Sequence, residues 1–343
     1  MLYLSTRNSQ ETYTAARVLT ESRAPDGGLF APYYTAAFPK EDLERLGEMK
    51  FNETVARMLN IQFQTQLTEH DVRLCVGKSP VRIAQLNNRL LVGECWHNLQ
   101  GSFSRLVENL ARHVCPEAVL TPGCWAQVGI GACVIFGIFG ELLGRGLVSF
   151  DKKADVSLVG GDFSMAMSCW YARAWGLPIE NIVCCCNENN AVWNLFFHGA
   201  MRTDGISIPT DTPDADICVP MSLERLIHSC GGAEEALRFV EKCRHGATYY
   251  PEDTLLERLR RGIYVSVVSS PRMLDTIPNA YATHGYLLSP YSALAYAGML
   301  DFRAKKGGSR MGLILADRSP LSESETVARA LNLPEAELKL KFE

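Results

Sequence analysis

Between Glu117 and Glu141 the chain carries no charged residue. A stretch of this length is nominally long enough to cross a bilayer. Its contents argue otherwise. Pro122 and Gln127 interrupt it, Gly123, Gly129, Gly131, Gly137 and Gly140 punctuate it, and it lacks a basic flank on one side. The expectation is therefore a buried central helix over residues 125–143, packed through close backbone contacts, and no membrane span.

A helix that is apolar all round must be covered by other layers. The chain supplies them as short β-branched runs alternating with longer helical patterns. Residues 81–92 read as two strands around Asn87-Asn88, and 103–114 as an amphipathic helix with Leu106, Leu110 and Val114 on one face. A strand at 156–159 ends in Gly160-Gly161, and a helix at 165–175 is closed by Gly176 and Pro178. Further strands are expected at 182–186 and 311–316, with a helix starting at 222. This alternation implies an α/β fold with a mostly parallel sheet flanked by helices. The helical pattern breaks around 113–122, which suggests an N-terminal segment 1–115 and a large α/β domain 116–343.

Composition narrows the function classes. Hydrophobic residues make up 47% of the 343 and charged residues 21%, so the chain has a core to bury. The net charge of −4 gives no broad basic surface for nucleic acid. Lys305-Lys306 is the densest basic spot, and a solvated turn accounts for it. The twelve cysteines include consecutive Cys184, Cys185 and Cys186, which alternate faces in a strand and cannot converge on one metal. Free thiols in a reducing cytoplasm are the expectation, with no metal site.

In such sheets ligands bind beyond the carboxyl ends of the strands. Gly160-Gly161-Asp162-Phe163-Ser164 is a loop of that kind. Its glycines let backbone N–H groups approach a phosphate at a helix N-terminus, but Asp162 repels one. Asp162 or Ser164 capping the helix is the simpler alternative. His97, close in sequence to Cys95, Ser102 and Ser104, is a candidate base for a nucleophile, or a structural histidine.

Several segments in order resemble threonine synthase, of the fold-type-II pyridoxal-phosphate enzymes. Tyr3-Leu4-Ser5-Thr6-Arg7 resembles that family's opening, and Pro25-Asp26-Gly27-Gly28-Leu29-Phe30 its Asp-Gly-Gly-Leu-aromatic segment. Cys124-Trp125-Ala126-Gln127 resembles Asn-Trp-Ala-Arg, and Gly161-Asp162-Phe163-Ser164-Met165 the phosphate loop Gly-Asn-Phe-Gly-Asn. Gly176-Leu177-Pro178-Ile179 and Asn187-Glu188-Asn189 come next, and Leu288-Ser289-Pro290-Tyr291-Ser292-Ala293 resembles Leu-Asp-Pro-His-Thr-Ala. The resemblance implies a tryptophan-synthase-β-like fold, pyridoxal phosphate as the family cofactor, and lyase chemistry that turns O-phosphohomoserine into threonine.

The departures fall on the cofactor. Where the family has His-Gly-Pro-Thr-x-x-Phe-Lys-Asp, this chain has His97 to Arg105, and Ser104 stands at the lysine position. No lysine occurs between Lys78 and Lys152, and a serine hydroxyl cannot form an imine. The passage from Arg112 to Trp125 is too short for the family's inserted small domain, which is expected to be largely missing. The phosphate loop carries Asp162, Ser164 and Met165 in place of asparagine, glycine and asparagine, and Gln127 replaces the arginine. Ala316-Asp317-Arg318-Ser319-Pro320 resembles Ser-Thr-Ala-His-Pro, with Asp317 where the hydroxyl partner of the ring nitrogen belongs.

The expectation is a pseudoenzyme or repurposed binding protein, with no cofactor. Its candidate catalytic positions are His97, Ser102 and Ser104. Gly161, Asp162, Phe163, Ser164 and Asp317 are degenerate cofactor positions, and Trp125, Gln127 and Asn187 line the substrate pocket. A small polar metabolite or a protein is the expected partner. Cofactor-independent chemistry at the same pocket and a divergent threonine synthase are the alternatives.

Overall fold

The computed structural model describes residues 1–35 and 37–342. Among these described residues, nine strands form two sheets. A small antiparallel sheet of β1 (Tyr3–Ser5), β2 (Asn8–Tyr13) and β3 (Phe30–Pro32) has the order β2-β1-β3. The main sheet contains β4 (Arg82–Asn87), β5 (Leu90–Glu94), β6 (Ala154–Val159), β7 (Ile179–Cys186), β8 (Ile263–Val267) and β9 (Met311–Ala316), in the order β4-β5-β9-β6-β7-β8. All its pairings are parallel except the β4–β5 hairpin at one edge. The mostly parallel α/β fold expected from the alternation is the fold observed. The sequence boundary at 115/116 does not divide the sheet, because β5 from before it pairs with β9 from after it.

Of the fifteen α-helices among the described residues, seven concern the core helix and the strand ends: α1 (Phe51–Phe63), α2 (Phe103–Val114), α3 (Trp125–Gly144), α4 (Ser164–Ala174), α5 (Ala191–His198), α6 (Leu223–Gly231) and α7 (Pro290–Lys306). Helix α3 is the uncharged stretch. By length and composition it would pass for a membrane span, yet 83% of its most apolar window is buried inside the fold. It packs against α1, α2 and α4. Its glycines are the reason the packing is so close. A Cβ on Gly137 would lie 2.8 Å from the Phe51 ring and from Val55 Cγ2, both on α1. A Cβ on Gly144 would collide with the Gly47 carbonyl.

Topology fixes where a site can form. The chain reaches β5, skips one strand position to β6, builds outward through β7 and β8, then returns to insert β9 between β5 and β6. Connections therefore diverge at the carboxyl ends of β5, β9 and β6, leaving a crevice of the kind that holds ligands in open parallel sheets.

Gly137→Ala is expected to lower the urea unfolding midpoint. Overpacking against Phe51 and Val55 costs about 1–3 kcal/mol, and the gain in helix propensity returns at most roughly 1 kcal/mol. An unchanged or raised midpoint would show that α1 yields freely there.

Candidate functional site at the strand carboxyl ends

Helix α2 starts directly after the loop that leaves β5. Ser102 is its N-cap, and its hydroxyl accepts from Arg105 N at 3.2 Å. The next two backbone donors belong to Phe103 and Ser104, and both point at one carboxylate. Asp317 Oδ1 accepts from Phe103 N at 2.9 Å and from Ser104 N at 3.2 Å. Asp317 is the first residue beyond β9, so the central strand delivers a negative charge to the positive end of α2. Ser104 itself is exposed.

Helix α4, after β6, is closed in the same way. Phe163 takes the left-handed conformation (φ 68°), which folds Asp162 back over the helix start. Asp162 Oδ1 accepts from Ser164 N at 2.9 Å, and Oδ2 accepts from the Ser164 hydroxyl at 2.6 Å. The Ser164 hydroxyl also lies 3.0 Å from that of Ser222. The N-cap position itself falls to Phe163, which has no side-chain cap bond, and Asp162 just before it occupies a single helix donor, that of Ser164. The Phe163 side chain is fully buried in the core.

Arg318 ties these ends together. Its guanidinium donates to Asp214 at 2.7 Å, to Asp317 at 3.2 Å and to Glu323 at 3.2 Å, and sits 4.4 Å over the ring of Tyr291. Tyr291, on the first turn of α7, accepts from Asp214 N at 3.3 Å. Partial burial works against the charge on Arg318, but Asp317 and Asp214 more than offset it and hold the guanidinium above the ordinary arginine range. Asp214 belongs to a loop whose backbone also lies against Gly161, with the Asp214 carbonyl 3.7 Å from where a Gly161 Cβ would stand.

Asn187, just beyond the end of β7, anchors the same loop from the other side. Its amide donates to Thr210 at 2.9 Å, Thr212 at 3.0 Å and Asp216 at 2.7 Å, and its carbonyl accepts from Asn189 N at 3.0 Å. Asn187 is thus fully committed to holding the loop. Trp125 is wholly buried, packed on Tyr3 and Tyr171 with Arg225 over its ring, and lines no open space. Gln127 accepts from Gly123 N at 3.1 Å and shapes the turn into α3.

His97 takes part in a separate cluster. Its Nε2 lies 2.7 Å from Glu94 Oε2, which also pairs with Arg82, while Tyr286 donates to Glu94 Oε1 at 2.7 Å. Glu94 is 1% exposed. Burial by itself raises its pKa, but Arg82, Tyr286 and His97 outweigh this and bring the carboxyl below the ordinary glutamate range. Among the described residues no hydrogen bond joins His97 to Ser102 or Ser104. Burial pushes the thiols of Cys95 and Cys124 up, so neither supplies a ready thiolate. The structure thus brings Ser102, Ser104 and Asp317 together, and Gly161, Asp162 and Ser164 together. It keeps His97 apart from the serines by giving it another partner. Arg318, Asp214 and Tyr291 join the candidate site without having been expected there. Tyr291 and Arg318 stand within the family-like segments of the sequence, and Asp214 has no such signal.

The architecture is that of the fold-type-II pyridoxal-phosphate enzymes. Over 96% of its length the chain superposes on pyridoxal-phosphate-bound threonine synthase from Brucella melitensis, covering 91% of that chain with a TM-score of 0.85 at 16% identity. Against threonine synthase from yeast the TM-score is 0.83 at 16% identity, covering 99% of this chain and 94% of that one. These likenesses establish the fold. In sequence, residues 2–79 match the family described as "Threonine synthase N terminus". Human "Threonine synthase-like 1" is 27% identical over 162 residues, 45% of this chain and 21% of that protein. Threonine synthase from Schizosaccharomyces pombe is 25% identical over 167 residues, 42% of this chain and 32% of that protein. The stretch matched to the first of these relatives spans about a fifth of that protein's length.

Asp317→Ala is expected to cost about 0.5–2 kcal/mol of stability, as loss of a helix N-cap does, with Asp317→Asn retaining most of it. Urea titration of the three proteins checks the order. Equal losses for alanine and asparagine would show that charge, not capping, is what matters. The lowered pKa of Glu94 gives a second outcome. Its stabilisation is fully present above the unfolded glutamate value of about 4.3 and disappears as pH falls through the lower folded value. Glu94→Gln should therefore lose about 1.5–3 kcal/mol at neutral pH, and the gap to the native chain should narrow in acid. A gap independent of pH would contradict this.

Proposed function

We propose that this chain is a threonine-synthase-like protein without pyridoxal-phosphate catalysis, a pseudoenzyme whose scaffold serves in binding or regulation. The observation that carries this reading is that the chain's own carboxylates occupy the anion-binding ends of its helices. Asp317 takes two donors of α2, Phe103 N and Ser104 N, and Asp162 takes one of α4, Ser164 N, at the crevice where the topology puts a ligand.

Pyridoxal phosphate does not fit the residues present. Its phosphate would meet Asp162, Ser104 offers no amine for its aldehyde, and Arg318 and Asp317 are already paired with each other. Binding of a small polar metabolite or a protein is the role left for the scaffold. The unpaired state of the cysteines fits a reducing, cytoplasmic setting. One observation favours new cofactor-independent chemistry instead: His97 is oriented by a buried carboxylate, as catalytic bases are. It lacks a nucleophile within hydrogen-bond reach, which makes the binding role the stronger reading.

The test is to mix the purified chain with one equivalent of pyridoxal phosphate, record the imine absorbance, reduce with borohydride and map the adduct by mass spectrometry. No stoichiometric adduct is expected, either for the native chain or for Ser104→Lys, because Asp162 and Asp317 remain in both. A single lysine modified to completion in the native chain would overturn the proposal. A stable imine in Ser104→Lys would show that the serine alone separates this chain from cofactor binding.

A further inference from the structure

The opposite end of the sheet carries a different surface. At the amino ends of β7 and β8 lies a cleft of about 730 Å³, a size typical of small-molecule sites. One wall is aromatic. Trp193 and Phe197, one turn apart on α5, stack at 4.7 Å and 9°, and Phe197 stays 58% exposed. Tyr264 and Phe302 meet edge to face beside them at 5.3 Å. The rim is cationic: Arg260, Lys305, Lys306 and Arg310 stand against one carboxylate, Glu180.

The charges there are unevenly matched. Glu180 already pairs with Lys153 at 3.2 Å and with Arg310 at 3.8 Å. Arg260 donates to the carbonyls of Phe196 at 2.6 Å and Phe197 at 3.2 Å, closing the carboxyl end of α5. Among the described residues no carboxylate lies within ion-pair range of Arg260, Lys305 or Lys306. Lys305 Nζ is instead held about equally between two rings, 5.9 Å from Phe197 and 6.0 Å from Tyr264. A neighbouring cleft shares Glu180 and Asn181 and adds Lys153, Arg173, Arg258 and Arg261 to the same face. In a chain of net charge −4 this is a concentration of positive potential, focused into a concave surface. Lys305 and Lys306 lie in the last turn of α7 and not in the solvated turn expected of them, and with Arg260 and Arg310 they gather around an exposed aromatic wall.

We infer that this cleft binds a small molecule combining a flat heteroaromatic ring with a phosphate. The ring lies against the wall of Trp193, Phe197 and Tyr264, and the phosphate meets Lys305, Lys306 and Arg310. The site lies across the sheet from Asp162 and Asp317, so it stands or falls independently of the lost cofactor chemistry.

AMP is the probe, titrated calorimetrically at low salt into the full chain, with adenosine and inorganic phosphate as its separate halves. AMP is expected to bind more tightly than either half and to weaken as salt rises. Lys305→Ala/Lys306→Ala, and separately Trp193→Leu, should each weaken it at least about tenfold. Thermal melts confirm folding, and Lys306→Gln, a change at an exposed position, serves if either variant is unstable. Four results overturn the inference: no AMP binding at millimolar concentration, binding indifferent to these substitutions, phosphate alone matching AMP, or a hexanucleotide binding more than about tenfold tighter. The last would mark the face as a track for a nucleic-acid strand.

Discussion

The ion pair between Asp317 and Arg318 sits where the last strand of the sheet ends, and the carboxyl edge is organised around it. Strand β9 is the innermost insertion, flanked by β5 and β6. The residues just beyond it project between the two helices that start at those neighbours. Asp317 turns one way, to the N-terminus of α2, and Arg318 the other, to Asp214, Glu323 and the face of Tyr291. Each partner comes from a different part of the chain. Neutralising Asp317 leaves Arg318 with Asp214 and Glu323, whereas neutralising Arg318 strips three carboxylates of their shared cation, the more costly loss.

The same physics that makes helix N-termini good phosphate sites makes them good carboxylate sites. Unpaired backbone donors and the helix dipole favour any negative charge placed there. In this chain Asp317 satisfies two such donors of α2 from within, and Asp162 one of α4. The gain is rigidity, since an internal cap is present at all times and carries no binding equilibrium. The consequence is that an anionic ligand must now compete with a tethered carboxylate. The loop carrying Asp214 adds to this, because it is fastened at one end by Asn187 and at the other by Arg318. Polar residues that read as a pocket lining in the sequence serve here as fasteners for the loop over it.

How much of this is legible in the sequence depends on whether the cause is local. The helix Phe103–Val114 and the strand Met311–Ala316 carry their periodicity openly, and the structure places both at the expected bounds. The bond from Ser164 N to Asp162 is a contact two residues long, of the local kind that a sequence can suggest. The bond from Asp214 to Arg318 spans 104 residues and has no local signature. Trp125 reads as a pocket residue for a related reason. Its position at the start of a core helix is local, but its burial against Tyr3 and Tyr171 comes from elements far away in the chain. Strand β8 and the small sheet β1–β3 escape a sequence reading altogether: they are short, and their pairing partners decide them.

The two ends of the main sheet therefore differ in how their charges are settled. At the carboxyl end, the anions are matched within the chain: Asp162 with the backbone and hydroxyl donors of Ser164, Asp317 with helix donors and Arg318, and Glu94 with Arg82 and Tyr286. At the amino end, Lys305 and Lys306 have rings and solvent for neighbours, and the one carboxylate nearby is shared between two other cations. A fold gains little from leaving positive charge unmatched beside exposed aromatic rings, since both features cost solvation or solubility when nothing covers them. The charges at the carboxyl edge are thus spent on holding loops and helix starts in place, while those at the amino edge face solvent and rings.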